Sequence, residues 1–346
     1  MTLAWYLSRM ALARIAVALA GLVALALAIT LLEAAPDLLR EGGAGRVARF
    51  AALRAALLAD ELAAVAILSG AALTFATLAA RSEMVALRAA GMSAARLMLR
   101  LAPLALALAG AGYALSECAA PAAEAALARD FPGVAARAPE QGPVWAALGR
   151  ETARFTVADA SGAALAQVTI FSMDPGGAIL SRTDAAAARW TGDGWRLQGA
   201  VLTDAQGVRP APPGLWRPPL DPASALSLTR RPERVSSGEA RAALAGARPL
   251  ARGSAYLRTR LADVWAATLT PAMLLCFAAL AGFGPPRGAG GGMLALGLTL
   301  GLLYIALDGA FGGLGGAGAL SPVTAAFAPK AVGALAALWA ILMVEG

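Results

Sequence analysis

The sequence predicts an α-helical membrane protein with six transmembrane helices in a three-plus-three arrangement and an inserted extracytoplasmic all-β, jelly-roll-like domain. Three observations carry that expectation. Six apolar runs approach the length of a bilayer core, which takes about 20 residues of helix. Between the third and fourth runs the composition changes to Pro, Asp, Arg and Trp, with short alternating segments. Arginine gathers in the connections on one side of the expected membrane.

The first run is Ile15 to Leu32, preceded by Arg9 and Arg14. More spans follow and no small-residue cleavage signature precedes a polar start, so the run reads as a retained helix and not a signal peptide. The second is Leu62 to Ala80, and the third runs from about Leu97 to Ser116, with Arg100 able to snorkel near one end. The fourth is Val264 to Phe283, the fifth Met293 to about Phe311, and the sixth about Pro322 to Val344. The last two carry one ionisable residue each, Asp308 and Lys330, both toward the same connecting loop.

The insert from about Glu117 to Ala255 reads as strands and turns. "ARFTVADA" and "AQVTIFSMD" mix β-branched and apolar residues in the manner of strands. "ARWTGDGWRLQGAVLTD" reads as a hairpin, with Trp190 and Trp195 flanking a Gly192–Asp193–Gly194 turn. Several short strands at close spacing suggest a sandwich or jelly roll. The proline-rich "RPAPPGLWRPPLDPAS" should be an irregular edge or loop, and the sequence turns helical again before the fourth span. The expected division is residues 1–120 for three spans, 121–255 for the β domain and 256–346 for three more spans. No convincing sequence repeat relates the two halves.

Charge sets the expected orientation. The N-terminus, the segment Leu78 to Arg100 and the loop containing Arg287 fall on one side of a six-span chain, which is read as cytoplasmic. The loop after the first span blurs this rule with Arg40, Arg46, Arg49 and Arg54, beside Glu33, Asp37 and Glu41. The insert then lies outside, in the periplasm of a two-membrane cell.

Composition excludes several functions. Of 346 residues, 59% are hydrophobic and 15% charged, whereas a soluble domain carries about a quarter charged residues. The net charge of +7 is nearly all arginine, Lys330 being the one lysine. A basic excess can mark a nucleic-acid binder, but these arginines are scattered between apolar runs without interleaved aromatics. Topology and anionic lipid explain them better, and no nucleic-acid partner is expected. The absence of histidine removes His-based acid–base and nucleophile pairs and most zinc sites. Cys118 and Cys276 read as small apolar filler, although a disulfide stays open. The Gly-rich pieces "GFGPPRGAGGG" and "GAFGGLGGAGAL" lack the lysine and strand–loop–helix context of a phosphate-binding loop and read as loops and close helix packing. No catalytic residue, metal site or cofactor is expected. Any ATP-driven step needs another subunit. Asp308, solitary in its span, is either a functional acid or a helix-end residue at the interface.

The segment "LAARSEMVALRAAGMSAARLMLR" breaks the apolar pattern with five charges. Ser82 suits an N-cap, and Glu83 then falls in the first turn, where negative charge suits the helix dipole. Glu83 faces Ala86 and Leu87 at helical spacing and so lacks an ion-pair partner on its own helix. Met84, Leu87 and Gly91 form a short apolar stripe, Gly91 ends the helix, and Ser93 can cap the next. A short helix at about residues 82–92 with an acid, an apolar ridge and a basic rim suits a groove on a cytoplasmic partner. An interfacial helix on anionic lipid is the alternative.

These residues resemble a family. "RSEMVALRAAGMSAARL" is similar to the coupling-helix region of the LptF/LptG permeases of lipopolysaccharide export. "FGPPR", "GLLYIALDGAFGGLG" and "LSPVTAAFAP" look like the LptG pattern of a Phe-Gly-Pro-x-Arg loop, a Leu-Asp-x-x-Phe-Gly span end and a Pro-led sixth span. Permeases of the FtsX/MacB type share a similar coupling motif, but are expected to have one span, an outer domain and three spans. The resemblance implies a non-catalytic subunit paired with an LptF-like second permease, bound to an LptB-like ATPase dimer with an LptC-like single-span protein alongside. It implies extraction of lipopolysaccharide from the inner membrane and delivery to a periplasmic bridge. It also implies that Glu83 meets an arginine of the ATPase, that Arg88 and Gly91 seat the helix, that the first and fifth spans line the cavity and that the β domain receives acyl chains. The family places basic residues at the outer end of the first span, where this chain has Glu33 and Asp37. Arg40, Arg258, Arg260 and Asp308 are therefore the candidates for the substrate cavity, with interfacial anchoring as the other reading of the arginines. A signalling protein of FtsX/MacB type, relaying force to a cytoplasmic ATPase without moving lipid, is the alternative function.

Overall fold

The computed structural model describes residues 3–131, 143–148, 151–159, 161–174, 178–212, 215–229, 235–245, 253–283 and 290–345. It divides into two compact units. One comprises Met1–Leu127 with Ala262–Gly346, the other Ala128–Leu261.

The first unit is helical. Its described residues include six helices long and apolar enough to cross a membrane: Leu3–Ala34, Gly43–Ala80, Ala94–Leu127, Ser254–Gly282, Gly291–Gly316 and Pro322–Val344. The fourth of these crosses the division, its residues before Ala262 being counted with the second unit. All six expected spans are present, and most run further than the apolar stretch alone indicated.

The connection between the first two spans differs from the expected loop. Helix α1 (Leu3–Ala80) is continuous except at Gly43, where φ 66° and ψ −162° reverse the chain. A left-handed φ of this kind is open to glycine at little steric cost. The arms then meet. A Cβ on Gly70 would stand 2.5 Å from the Ile15 backbone, and Arg14 donates to the Leu73 carbonyl at 2.9 Å. Ile15 and Gly70 are nearly equidistant in sequence from Gly43, as a helical hairpin requires. The charged residues from Glu33 to Glu61 thus extend helix beyond the apolar cores instead of forming a loop. Alanine and leucine between the charges favour that outcome.

The third span also overruns its expected end. Helix α2 (Glu83–Ala89) leads to α3 (Ala94–Ala114), a π turn (Leu115–Ala119) and α4 (Ala120–Asp130). Pro121 looks like a stop in the sequence. The π turn lies just before it and accommodates a residue that has no N–H for the ordinary bond.

The core of this unit gathers Leu68, Phe75 and Leu78 of the second span with Leu97 and Leu101 of the third, and Leu274 and Phe277 of the fourth. The first and fifth spans are the least buried of the six. Val17, Leu25 and Ile29 on one, and Leu302 and Leu303 on the other, are exposed. Apolar exposure along a span is what lipid or a second membrane subunit covers.

The second unit is built on an antiparallel sheet. Strands β1 (Val144–Leu148), β2 (Glu151–Val157), β3 (Ala164–Met173) and β4 (Ile179–Trp190) pair in sequence. The sheet forks at β4. Its first part pairs with β6 (Val201–Asp204), which pairs in turn with β7 (Gly207–Pro210). Its last part pairs with β5 (Trp195–Gln198), which continues to β8 (Leu215–Trp216). The expected hairpin is present, with Trp190 paired to Trp195 and the Thr191 N–H donating to the Gly194 carbonyl at 3.0 Å. The two "strand" segments of the sequence are β2 and β3. The proline-rich stretch begins at the expected edge, with Pro210 ending β7 where a missing N–H is tolerated, and goes on to the short strand β8.

One sheet face is covered by helix α5 (Pro222–Thr229), whose Ala225 and Leu228 join Phe155, Leu165, Val168 and Trp195 in a buried cluster. The Trp195 indole N–H donates to the Leu220 carbonyl at 2.8 Å, so the largest buried side chain keeps its polar atom satisfied. Helices α6 (Ser237–Leu244) and α7 (Ser254–Ala266) follow. Ser236 and Glu239 form a capping box at the start of α6.

Candidate functional site

Helix α2 occupies the break that the sequence marked. The chain leaves the second span through a tight turn, with the Arg81 and Ser82 N–H groups donating to the Thr77 and Ala79 carbonyls at 3.0 Å. Ser82 absorbs the change of direction in the left-handed region at φ 58°, and its hydroxyl makes no cap bond. The expected side-chain cap is therefore absent. The Ser82 backbone carbonyl starts the helix instead, accepting from the Ala86 N–H at 3.1 Å.

The end of α2 follows the expected pattern. Gly91 takes φ 78°. Its N–H donates to the Arg88 carbonyl at 2.9 Å, and the Met92 N–H donates to the Leu87 carbonyl at 3.1 Å. This pair of bonds is a Schellman closure, which needs a left-handed residue at that point. Ser93 then caps α3, accepting from the Arg96 N–H at 3.3 Å. Two fixed ends hold a seven-residue helix that propensity alone would not sustain.

The apolar ridge faces the other way from the expectation. Met84 is 3% exposed and sits in the core of the helical unit, with Leu87 packed against it. The Met84 methyl reaches the end of the fourth span, where a Cβ on Gly282 would stand 2.5 Å from it and 3.4 Å from the Phe75 Cβ. Next to Gly282, the Phe283 ring lies beneath the Arg88 guanidinium, 5.9 Å from ring centroid to Cζ. Helical periodicity located the ridge but could not say what covers it. The notch made by Gly282 and Phe75 is supplied by two other spans. The remainder of the Phe283-to-Arg287 loop lies outside the described residues.

What α2 presents outward is Val85 with Arg81, Arg88 and Ala89 exposed around it, and Glu83 half-exposed at one end. Glu83 is not wholly without a contact. The Tyr6 hydroxyl donates to Glu83 Oε2 at 3.4 Å, a long bond from the start of the first span. Glu83, Arg88 and Gly91 are thus brought together on one element, docked against the ends of the first, second and fourth spans.

The remaining candidates are carried by other elements. Arg258 is exposed on α7 and Arg260 is half-buried there, donating through Nε to the Val235 carbonyl at 3.1 Å. Arg40 is in α1, but its side chain lies outside the described residues. Asp308 is not solitary. Lys330 on the sixth span places Nζ 2.5 Å from both of its carboxylate oxygens. Lys330 is 3% exposed and lies 5.6 Å from the Tyr304 ring centroid. The Tyr304 hydroxyl shares a hydrogen bond of 3.2 Å with Thr270 Oγ1. In the sequence Asp308 and Lys330 stand toward one loop, and Asp308 looks solitary in its span. The available signal was their spacing, because both are equidistant from Ala319, and a helical hairpin brings such residues level.

Among the described residues no group of three or more His, Cys, Asp or Glu side chains is placed to hold a metal. Cys118 and Cys276 are both free thiols.

A bundle of six candidate spans, an inserted antiparallel sheet and a short docked helix between the second and third spans define a multi-pass membrane protein of permease type. The sequence pattern of the lipopolysaccharide export system permease LptF/LptG family matches residues 5–343, and the chain belongs to that family. Comparison with curated individual proteins gave no match. The family makes the chain a permease subunit that is not itself catalytic and that works within a lipopolysaccharide transport complex.

Proposed function

We propose that this chain is the LptG-like half of a transporter that lifts lipopolysaccharide out of the inner membrane and passes it to a periplasmic bridge. A separate LptB-like ATPase dimer drives it, an LptF-like permease completes the membrane part, and an LptC-like single-span protein stands alongside. The observation that carries the reading is α2. It is a short helix with both ends fixed, its apolar ridge clamped to the bundle and its acid and basic rim left outward. A partner that moves α2 moves the ends of the spans beneath it.

On this reading α2 faces the cytoplasm and the sheet unit, residues 121–255 in the sequence-based division, is periplasmic. Glu83 meets a cation of the ATPase, while Arg88 and Gly91 hold α2 in place. The exposed apolar faces of the first and fifth spans border the lipid path. Arg40, Arg258 and Arg260 remain the candidates to meet substrate phosphates.

A relay without lipid movement is the second reading, and the packed cluster between the sheet and α5 is the observation in its favour. Photo-crosslinks decide between them. Probes on the sheet unit that capture lipid A during ATP turnover support transport, and probes that capture protein alone support the relay.

A further inference from the structure

The strongest unexplained feature outside α2 is the polar group formed by Thr270, Tyr304, Asp308 and Lys330. Each belongs to one of the last three spans: Thr270 to the fourth, Tyr304 and Asp308 to the fifth, and Lys330 to the sixth. Lys330 lies about two turns into its span. A lysine there at 3% exposure is costly unless paired, and the geometry pairs it twice, with both Asp308 oxygens and with the Tyr304 ring. Tyr304 reaches this position because residue 333 is glycine. A Cβ there would meet the Tyr304 ring at 2.7 Å. Thr270 then ties Tyr304 to the fourth span.

A buried ion pair adds little net stability over an apolar pair of similar size, because both charges lose water. What it supplies is register. A lysine on one helix and one carboxylate on its neighbour permit a single alignment, whereas the surrounding alanines, leucines and glycines permit several. The group also stands at a telling height. Thr270 is about 18 Å along the fourth span from Gly282, the residue against which Met84 of α2 rests. Phe283, Ala94 and Val344 line one small cleft, which puts the end of the sixth span beside the start of α3 and the Gly282 end of the fourth span. The polar group therefore lies toward the opposite end of the same three spans.

We infer that Asp308 and Lys330, with Tyr304 and Thr270, are positioning residues that lock the fourth, fifth and sixth spans into one body, so that displacement of α2 at Gly282 reaches the far ends of the fifth and sixth spans. This rests on the proposed function only for what the displacement accomplishes. The lock itself is a property of the fold. Asp308 is then a partner for Lys330 and not a group that contacts substrate.

Two measurements on the full chain in its purified membrane complex test this. The first is thermal unfolding in detergent of Lys330→Met, Asp308→Leu and the double variant. The lock predicts that each single change lowers the midpoint and that the double variant recovers most of the loss, since no charge is left unpaired. Additive losses would overturn the pair. The second is ATP-driven lipopolysaccharide release. The single variants should fall about tenfold while the ATPase stays bound, and the reversed pair Asp308→Lys with Lys330→Asp should regain most of that loss. A reversed pair as inactive as the single variants, or single variants with wild-type release, would overturn the positioning role. If the wild-type complex itself retains no ATPase and releases no lipid, the proposed function fails, and the unfolding cycle still decides the lock.

Discussion

The Met84 side chain ends where a side chain on Gly282 would begin, 2.5 Å from the position of its Cβ. Met84 lies in the segment that resembles a coupling helix, Gly282 directly precedes the Phe283-to-Arg287 stretch, and the two residues are in contact. The helix that carries Glu83 is therefore fastened to the fourth span by a buried methionine, with the Arg88–Phe283 stack beside it.

Substitution of Gly282 should grade with size. Gly282→Ala meets only the flexible tip of Met84, which can turn aside. Gly282→Leu must displace Met84 and crowd Phe75, at about 1–3 kcal/mol for overpacking. The leucine variant should have a lower unfolding midpoint in detergent and lower ATP-driven release, with the alanine variant close to wild type. Equal behaviour of the two would show that the contact is slack.

Gly91 should tolerate asparagine better than alanine. At φ 78° a Cβ costs about 1–2 kcal/mol, and asparagine adopts this conformation more readily than alanine does. Hydrogen exchange at the Gly91 and Met92 amides, which close the helix, should speed up more in Gly91→Ala than in Gly91→Asn. No change in either would mean the Schellman closure does not hold the helix end.

Arg88→Ala should have a small effect on stability, about 0.5–1 kcal/mol for an exposed cation–π contact. Phe283→Leu should remove the same interaction, so the double variant should lose less than the sum of the two. Strict additivity in unfolding midpoints would separate the two side chains.

The sheet unit carries a pH-dependent cap. The Ser224 hydroxyl and N–H both donate to the Asp221 carboxylate and hold it below the ordinary aspartate range. Because the folded value is depressed, the stabilisation is present above the unfolded value and is lost as pH falls through the folded one. Amide exchange along α5 should accelerate on acidification in the wild type. Asp221→Asn, which caps nearly as well without titrating, should flatten that response, and Asp221→Ala should cost about 1 kcal/mol at neutral pH. An unaltered acid response in Asp221→Asn would assign it to another group.

Much of this architecture is legible in the sequence because its signals are local. Apolar run length marks the six spans, alternation marks β2 and β3, and Gly192–Asp193–Gly194 marks the hairpin. Gly91 and Ser93 announce the end of one helix and the start of the next. Features that depend on a distant partner are not legible. Nothing near Met84 says that Gly282 leaves a notch for it, so in the sequence the ridge looks as if it faces a partner. Nothing near Ser82 says that the turn from the second span forces it left-handed. Asp308 looks solitary until the fifth and sixth spans fold back and bring Lys330 level with it. The helical link through Gly43 was hidden by charges that suggest a loop, although its alanines and leucines favour helix.

Glu83 remains the residue on which the account turns. The direct measurement is affinity purification of the full-length chain in mild detergent, comparing wild type with Glu83→Ala and Glu83→Gln. The account predicts that the wild type brings an ATPase and a second six-span permease with it. It predicts that Glu83→Ala keeps the second permease but loses the ATPase, or keeps it without ATP-driven lipid release. A Glu83→Ala chain that retains the ATPase and releases lipopolysaccharide at the wild-type rate would contradict it.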